Sequence, residues 1–139
     1  MSFDEHWFPG RLRDLQLSEC LELVASRPVG RISYCTTSGP VTVPVNHVLL
    51  ERDILLRTSP HSDLGQHLIG EPRVCYQVDD YDDFNQSGWS VLVQGPARLV
   101  EPEDLPEHAE RPAPWVEGVR ALHVRVVGET VTGRRVIAV

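Results

Sequence analysis

Hydrophobic residues recur along this chain with two different periods, and the change between them divides it into elements. Between Leu17 and Ser26, the residues Leu17, Cys20, Leu21 and Val24 fall three and four apart, the spacing that lines one face of a helix. Ser18 is placed to cap this helix, with Glu19 and Glu22 in its first turn. Arg27-Pro28 ends it, because the residue before a proline is pushed out of the α region. From Gly30 the period becomes two: Ile32, Tyr34 and Thr36 alternate with Arg31, Ser33 and Cys35 until Ser38-Gly39-Pro40 closes the strand and predicts a hairpin. In the returning strand Val41, Val43, Val45, His47 and Leu49 share one face, with Thr42, Pro44, Asn46 and Val48 on the other. Pro44 has no N–H to give a ladder, which marks an edge, a bulge or a break facing a ligand.

A tight turn at Glu51-Arg52-Asp53 leads to a strand over Ile54–Thr58, and Ser62 to Ile69 reads as a short helix stopped by Gly70 and Pro72. Val74 to Asp79 is a further strand, and Asp79 to Ser87 a polar connection. Trp89 to Val100 is a long strand with Trp89, Val91, Val93, Ala97 and Leu99 on one side and a bend at Gly95-Pro96. Residues 101–118, rich in Pro and Glu, form a surface excursion with one helical turn. Alternation then resumes at Leu122, Val124 and Val126, and Thr130 to Val139 is the last strand. Six or more closely spaced strands with few helices, and no internal repeat or linker, predict one mainly-β domain over residues 1–139, with residues 1–16 as an N-terminal arm.

Composition narrows the chemistry. At 41% apolar and 24% charged residues the chain is ordinary globular material rather than a disordered or membrane protein. No apolar run approaches the ~20 residues that span a bilayer, and the N-terminus lacks a secretory layout, which places the protein in the cytosol. Cys20, Cys35 and Cys75 are odd in number and far apart, so they read as small core hydrophobes rather than disulfides or zinc ligands. The net charge of −7 repels phosphate backbones, and no basic stripe interleaved with aromatics offsets it, which excludes nucleic acid as a partner. The same field means that a phosphate-bearing ligand needs local cations or a helix N-terminus.

Several segments, in order, resemble the pyridoxamine 5'-phosphate oxidase-like superfamily of small FMN-binding split-barrel proteins. They are Val29-Gly30-Arg31-Ile32, Val43-Pro44-Val45-Asn46-His47, Leu56-Arg57-Thr58, Val78-Asp79-Asp80-Tyr81-Asp82, Ser87-Gly88-Trp89-Ser90-Val91 and Thr132-Gly133-Arg134-Arg135. Each is weak alone; their order over about residues 17–137 carries the resemblance. It implies a six-stranded split β-barrel with a few short helices, paired as a homodimer with flavin grooves between the subunits. Pairing also suits the physics, because a short split barrel has edges that need cover.

By this resemblance Val45, Asn46 and His47 lie along the isoalloxazine ring, where the Asn46 amide can both donate and accept. Asn46 reads equally as a residue satisfying backbone groups at a strand break, and a lone histidine on an apolar face is more often a core residue than a catalyst. Arg57 and Thr58 resemble the start of a phosphate clamp, joined by Ser62 at the following helix, although Arg57 alone suits a surface ion pair. Ser87-Gly88-Trp89-Ser90 resembles the loop that reaches the flavin groove, with Trp89 as a stacking surface and Ser90 beside it. Trp89 is also simply the first inward residue of a strand. Trp115 lies where the excursion would reach the pocket.

The chain departs from the family pattern in the clamp, where relatives usually carry glycine at the position of His61 and lysine at that of Asp63. One misplaced unit charge at ~4 Å, in an effective dielectric near 20, is worth about 4 kcal/mol before relaxation. Asp63 capping the helix and facing away, or Arg52, Arg73 or His67 supplying the missing charge, are the open alternatives.

The acidic run Asp79–Asp83 lacks the alternating ligands of a calcium loop, and the histidines form no metal-binding pattern. No nucleophile elbow, Walker loop or dinucleotide fingerprint is present. Two functions follow from the resemblance: a flavin-dependent oxidoreductase using FMN on an unknown small-molecule substrate, or a non-catalytic module that holds haem, a deazaflavin or another flat ligand. No catalytic residue is assigned.

Overall fold

The computed structural model describes residues 11–110 and 121–137. Its elements are β1 (Arg11–Asp14), α1 (Leu17–Ala25), β2 (Val29–Thr36), β3 (Gly39–Asn46), β4 (Val48–Leu50), β5 (Asp53–Thr58), α2 (Asp63–Leu68), β6 (Arg73–Asp82), β7 (Ser87–Val100), β8 (Leu122–Val126) and β9 (Thr130–Ile137), with a 3-10 turn at Pro102–Asp104. Every strand pairing is antiparallel, and the strands follow the order β3-β2-β6-β7-β8-β5-β4, with β9 added to β7 and β1 to β9. The sheet is not closed, and with few helices it is a split barrel.

The split has a simple origin in the chain. β3 and β4 occupy opposite ends of the strand order, yet His47 alone separates them in sequence. The sheet must therefore curl until its two ends meet at that residue. The apolar faces turn inward: Ile32 and Tyr34 of β2, Val45 of β3, Ile54 and Leu56 of β5, Val74, Tyr76 and Val78 of β6, and Val91 and Val93 of β7 form one buried cluster. Val41, Val43 and Leu49 pack against it, so the alternation expected from Val41 to Leu49 is kept across the break. Cys20 and Val24 place the apolar stripe of α1 into the same cluster.

β7 serves both halves of the curl. Over Gly88–Gln94 it pairs with β9, and from Ala97 onward with β8, while β6 follows its other edge. The change falls at the expected bend. A Cβ on Gly95 would stand 1.9 Å from the Val127 carbonyl oxygen, so only glycine lets the β8–β9 connection cross there. Val127 N–H donates to Pro96 O at 2.9 Å and fixes the crossing.

Four expectations are corrected. The α1 N-cap is Gln16, not Ser18: Glu19 reaches back to accept the Gln16 N–H at 3.4 Å, which draws the cap two residues earlier. The acidic connection is two strand ends, because Asp79, Asp80, Tyr81 and Asp82 pair with Ser90, Trp89, Gly88 and Ser87. Within the N-terminal arm Arg11–Asp14 forms a strand that was not expected, paired with β9. Of the three cysteines expected in the core only Cys20 is buried there, while Cys35 is exposed and Cys75 half-buried. In the excursion, Leu105 is buried against Leu50 and Leu55 in a second small cluster. No helix among the described residues is long and apolar enough to cross a membrane.

Candidate functional site

The β3 end carries three of the residues expected to meet a ring, and the structure gives them three different orientations. The Val45 side chain is buried in the core, which leaves its backbone to face outward. Asn46 ends the strand half-buried, on the face of Thr42 and Pro44. His47 is 5% exposed and turns inward, with Nε2 3.0 Å from the Val24 carbonyl oxygen and Nδ1 2.7 Å from the Tyr76 hydroxyl. A carbonyl only accepts, so Nε2 carries the proton and Nδ1 accepts from Tyr76. The Tyr76 hydroxyl also lies 2.7 Å from Val45 O, so one phenol hydrogen serves two acceptors. Burial holds the His47 imidazole below its ordinary pKa, against the pull of the Val24 carbonyl, and burial pushes the Tyr76 phenol well up. Both nitrogens are thus occupied inside the protein, and His47 is a hydrogen-bonded core histidine that fixes the backbone of Asn46.

The second group lies where β5 meets α2. Thr58 Oγ1 and Ser62 Oγ are 3.1 Å apart. Ser62 caps α2 by accepting from Gly65 N–H at 2.9 Å, and donates its own hydrogen to Ser59 O at 2.8 Å. The remaining hydrogen between the two hydroxyls is then that of Thr58, donated to Ser62. Gly65 lets this turn close, since a Cβ there would stand 2.0 Å from Ser59 O. Asp63 does not cap the helix, which Ser62 does; its side chain is largely exposed, and its Oδ2 accepts from the Tyr34 hydroxyl at 2.5 Å. That bond to the carboxylate pushes the Tyr34 phenol up to about 12. His67 completes the cluster, its Nδ1–H donating to Asp63 O at 2.8 Å and its ring 5.1 Å from that of Tyr34.

None of the cations considered as replacements stands beside Ser62 with its charge to spare. Arg52 Nε donates to Gly128 O at 2.6 Å, and Arg73 binds Glu129 at 2.6 Å, both around the β8–β9 connection rather than the α2 end of β5. His67 is committed to Asp63. Arg57 remains the arginine of the segment, opposite His123 in the β5–β8 ladder.

The third group lines a cleft of about 470 Å³ at the far end of the sheet, formed by Tyr81, Gly88, Trp89, Arg135 and their neighbours. Asp80, Trp89 and Arg135 lie side by side across β6, β7 and β9, with Ser90 next to them between Asp79 and Arg134. Trp89 packs against the core cluster while bordering the cleft, as its place at the first inward position of the strand requires. Three carboxylates of the acidic run have protein partners: Asp79 pairs with Arg31 at 2.8 Å and Asp80 with Arg27. Asp82 accepts Phe84 and Asn85 N–H in the turn, contacts that hold its carboxyl below the usual range. Trp115 lies outside the described residues.

The donor set can be tested against a flavin. An edge strand with Asn46 at its end, and a flat indole bordering an open cleft, fit the two faces and the polar rim of a tricyclic ring. The hydroxyls of the clamp are turned on each other and on the turn rather than toward a phosphate, Thr58 donating to Ser62 and Ser62 to Ser59 O. Sequence reasoning missed Tyr34, Tyr76 and Arg135, which act through partners distant in the chain.

In one chain these groups do not converge. Trp89 sits near the start of β7, whereas Arg57 lies across β8 from Val100 at its end.

A family model described as pyridoxamine 5'-phosphate oxidase matches residues 16–135. The uncharacterized protein Rv0080 of Mycobacterium tuberculosis is 30% identical over 130 residues, covering 90% of this chain and 86% of that protein. The structure of an FAD binding protein from Mycobacterium smegmatis superposes with a TM-score of 0.76 at 34% identity, over 88% of this chain and 98% of that one. A putative pyridoxamine 5'-phosphate oxidase from Corynebacterium glutamicum gives a TM-score of 0.72 at 24% identity, over 92% and 95%, a likeness of fold.

Proposed function

Since this chain belongs to the pyridoxamine 5'-phosphate oxidase family, with 16–135 matched, we propose that it is a flavin-binding protein and a flavin-dependent oxidoreductase acting on a small molecule. The observation that carries the reading is the β3 end. Among the described residues β3 has a strand neighbour on one side only, β2, and its outer edge ends in Asn46, held in place by the inward-turned His47. The likeness to the M. smegmatis FAD binding protein, at 34% identity over 98% of its length, supports the same ligand class.

A bound flavin supplies the hydride or electron transfer itself. What this chain contributes is orientation and shielding. Asn46 offers an amide that can pair with the ring's polar edge, and Trp89 offers an apolar plane that excludes water. His47 gives no proton to this face, because both of its nitrogens are bonded inside the core.

The same reading requires a homodimer. Trp89 and Arg57 stand at opposite ends of β7, so one ligand meets both groups only if they come from two copies. The edges of β3 and β4 and the exposed Leu12 and Tyr81 are surfaces that pairing would cover.

The test is an absorbance spectrum of freshly purified protein, with light scattering to give its mass. A flavin spectrum on a particle of two chains supports the reading. Colourless protein that is not stabilised against heat by added flavin overturns it, and a haem or deazaflavin spectrum replaces it with the binding-module reading.

A further inference from the structure

We propose that the cleft beside Trp89 binds a flat aromatic carboxylate, with the indole covering the ring and the Arg135 guanidinium taking the carboxylate. The inference rests on the flavin reading above, whose small molecule it assigns to a chemical class.

The strand register places the charges. Asp80, Trp89, Arg135 and Arg13 stand in one row across β6, β7, β9 and β1. Asp82, Ser87, Ile137 and Arg11, two places along each strand, share that face of the sheet. The face is therefore acidic along β6, aromatic at β7 and basic along β9 and β1. Both acids are engaged by the protein itself: Asp80 pairs with Arg27, and Asp82 accepts the Phe84 and Asn85 N–H groups and the Asn85 side-chain amide.

The bases are not balanced in the same way. Arg13 and Arg135 stand directly opposite in the β1–β9 ladder, where like charges repel. Arg13 is relieved by Glu19 at 3.2 Å. Arg135 lines the cleft half-buried and, among the described residues, makes no ion pair. A chain of net charge −7 has carboxylates in excess, yet none of those described meets this guanidinium. A bound anion supplies the missing partner and lifts the repulsion from Arg13.

Size and shape narrow the class. The cleft of about 470 Å³ has a volume usual for small-molecule sites. Its floor next to the indole is Gly88, where a Cβ would stand 2.7 Å from Asp80 O, so no side chain fills the space. The fork of an arginine pairs bidentately with a planar carboxylate. Neighbouring strands lie about 4.8 Å apart, so a carboxylate bonded directly to a ring meets that fork while the ring lies against the indole. A phosphate monoester would bring a charge of about −1.5 to −2 to a single arginine, with Asp82 on the far edge of the cleft, and fits less well.

The experiment is calorimetric titration of the full chain at physiological salt, with and without added flavin. The probes are benzoate, benzamide as the same ring without the charge, and phenyl phosphate. Benzoate is expected to bind at least about tenfold tighter than benzamide, the worth of one charge-assisted pair. Arg135→Gln should abolish that ratio with benzamide binding changed by less than about twofold, and Arg135→Lys, a point charge without the fork, should restore part of it. An unchanged thermal melt shows that each variant is folded. Arg134→Gln removes the same charge from the opposite face of β9 and should keep the ratio within about twofold. Absence of benzoate binding, equal binding of acid and amide, or an equal loss in Arg134→Gln overturns the inference, and tighter binding of phenyl phosphate overturns the carboxylate assignment. Flavin uptake is followed separately by absorbance. A chain that takes up flavin without distinguishing acid from amide keeps the flavin reading and loses this inference; one that distinguishes them but takes up no flavin keeps the acid site and loses the flavin reading.

Discussion

The Tyr76 hydroxyl lies 2.7 Å from His47 Nδ1, and this single contact ties the middle of β6 to the residue where the curled sheet meets itself. The hydroxyl also reaches Val45 O, and the far side of the imidazole reaches Val24 O at the end of α1. Three elements are therefore locked by two side chains. No charged group takes part in these bonds.

Replacing Tyr76 by Phe keeps the ring and removes the hydroxyl. Val45 O and His47 Nδ1 then lose a buried partner, at a cost of about 1–3 kcal/mol. Urea unfolding should show a lower midpoint with an unchanged slope, and an unaltered midpoint would mean that the network contributes nothing.

The pH dependence of stability follows from His47. Burial lowers its pKa in the folded state, so the unfolded chain takes up the proton first as pH falls. Stability is complete above the unfolded value of about 6.5 and declines below it, by at most about 1.4 kcal/mol per pH unit for one proton. Thermal melts between pH 5 and 8 should show this decline, and His47→Gln should flatten it. An identical slope in the variant would assign the effect to other groups.

Asp53 is 8% exposed and divides its carboxylate between Arg125 Nε at 2.5 Å and Gly128 N–H at 2.8 Å. Asp53→Ala strands both donors and should cost on the order of 3 kcal/mol, while Asp53→Asn keeps one bond and costs less. Chemical denaturation of the two variants gives the ranking; equal losses would contradict it.

Gly65→Ala should reverse the usual sign. Inside a helix this change normally stabilises by up to about 1 kcal/mol, but here the new Cβ would stand 2.0 Å from Ser59 O. The turn must open, at a net cost of about 1–3 kcal/mol, and flavin affinity should fall with it. A variant more stable than the native chain would show that the turn is slack.

What could be read from the sequence was whatever is local and periodic. Both helices, the β2–β3 hairpin and the inward set Val41, Val43, Val45, His47 and Leu49 follow from spacing alone, because each residue's face is set by its near neighbours. The strand character of Asp79–Asp82 was hidden, since its support is a ladder to Ser87–Ser90 and ion pairs to Arg27 and Arg31. β1 was invisible for a similar reason: all four residues are exposed, so no hydrophobic period betrays the pairing with β9. The orientation of Asp63 depends on Tyr34, 29 positions away, and no local pattern contains that partnership.

The unbroken run of β7 has a mechanical consequence. Its 14 residues border the indole cleft at one end and the ladder leading to Arg57 at the other, and they are hydrogen-bonded along both edges for most of that length. Paired on both sides, β7 is the strand that local opening of the sheet releases last, and its amides should exchange with solvent later than those on the outer edges of β3 and β4.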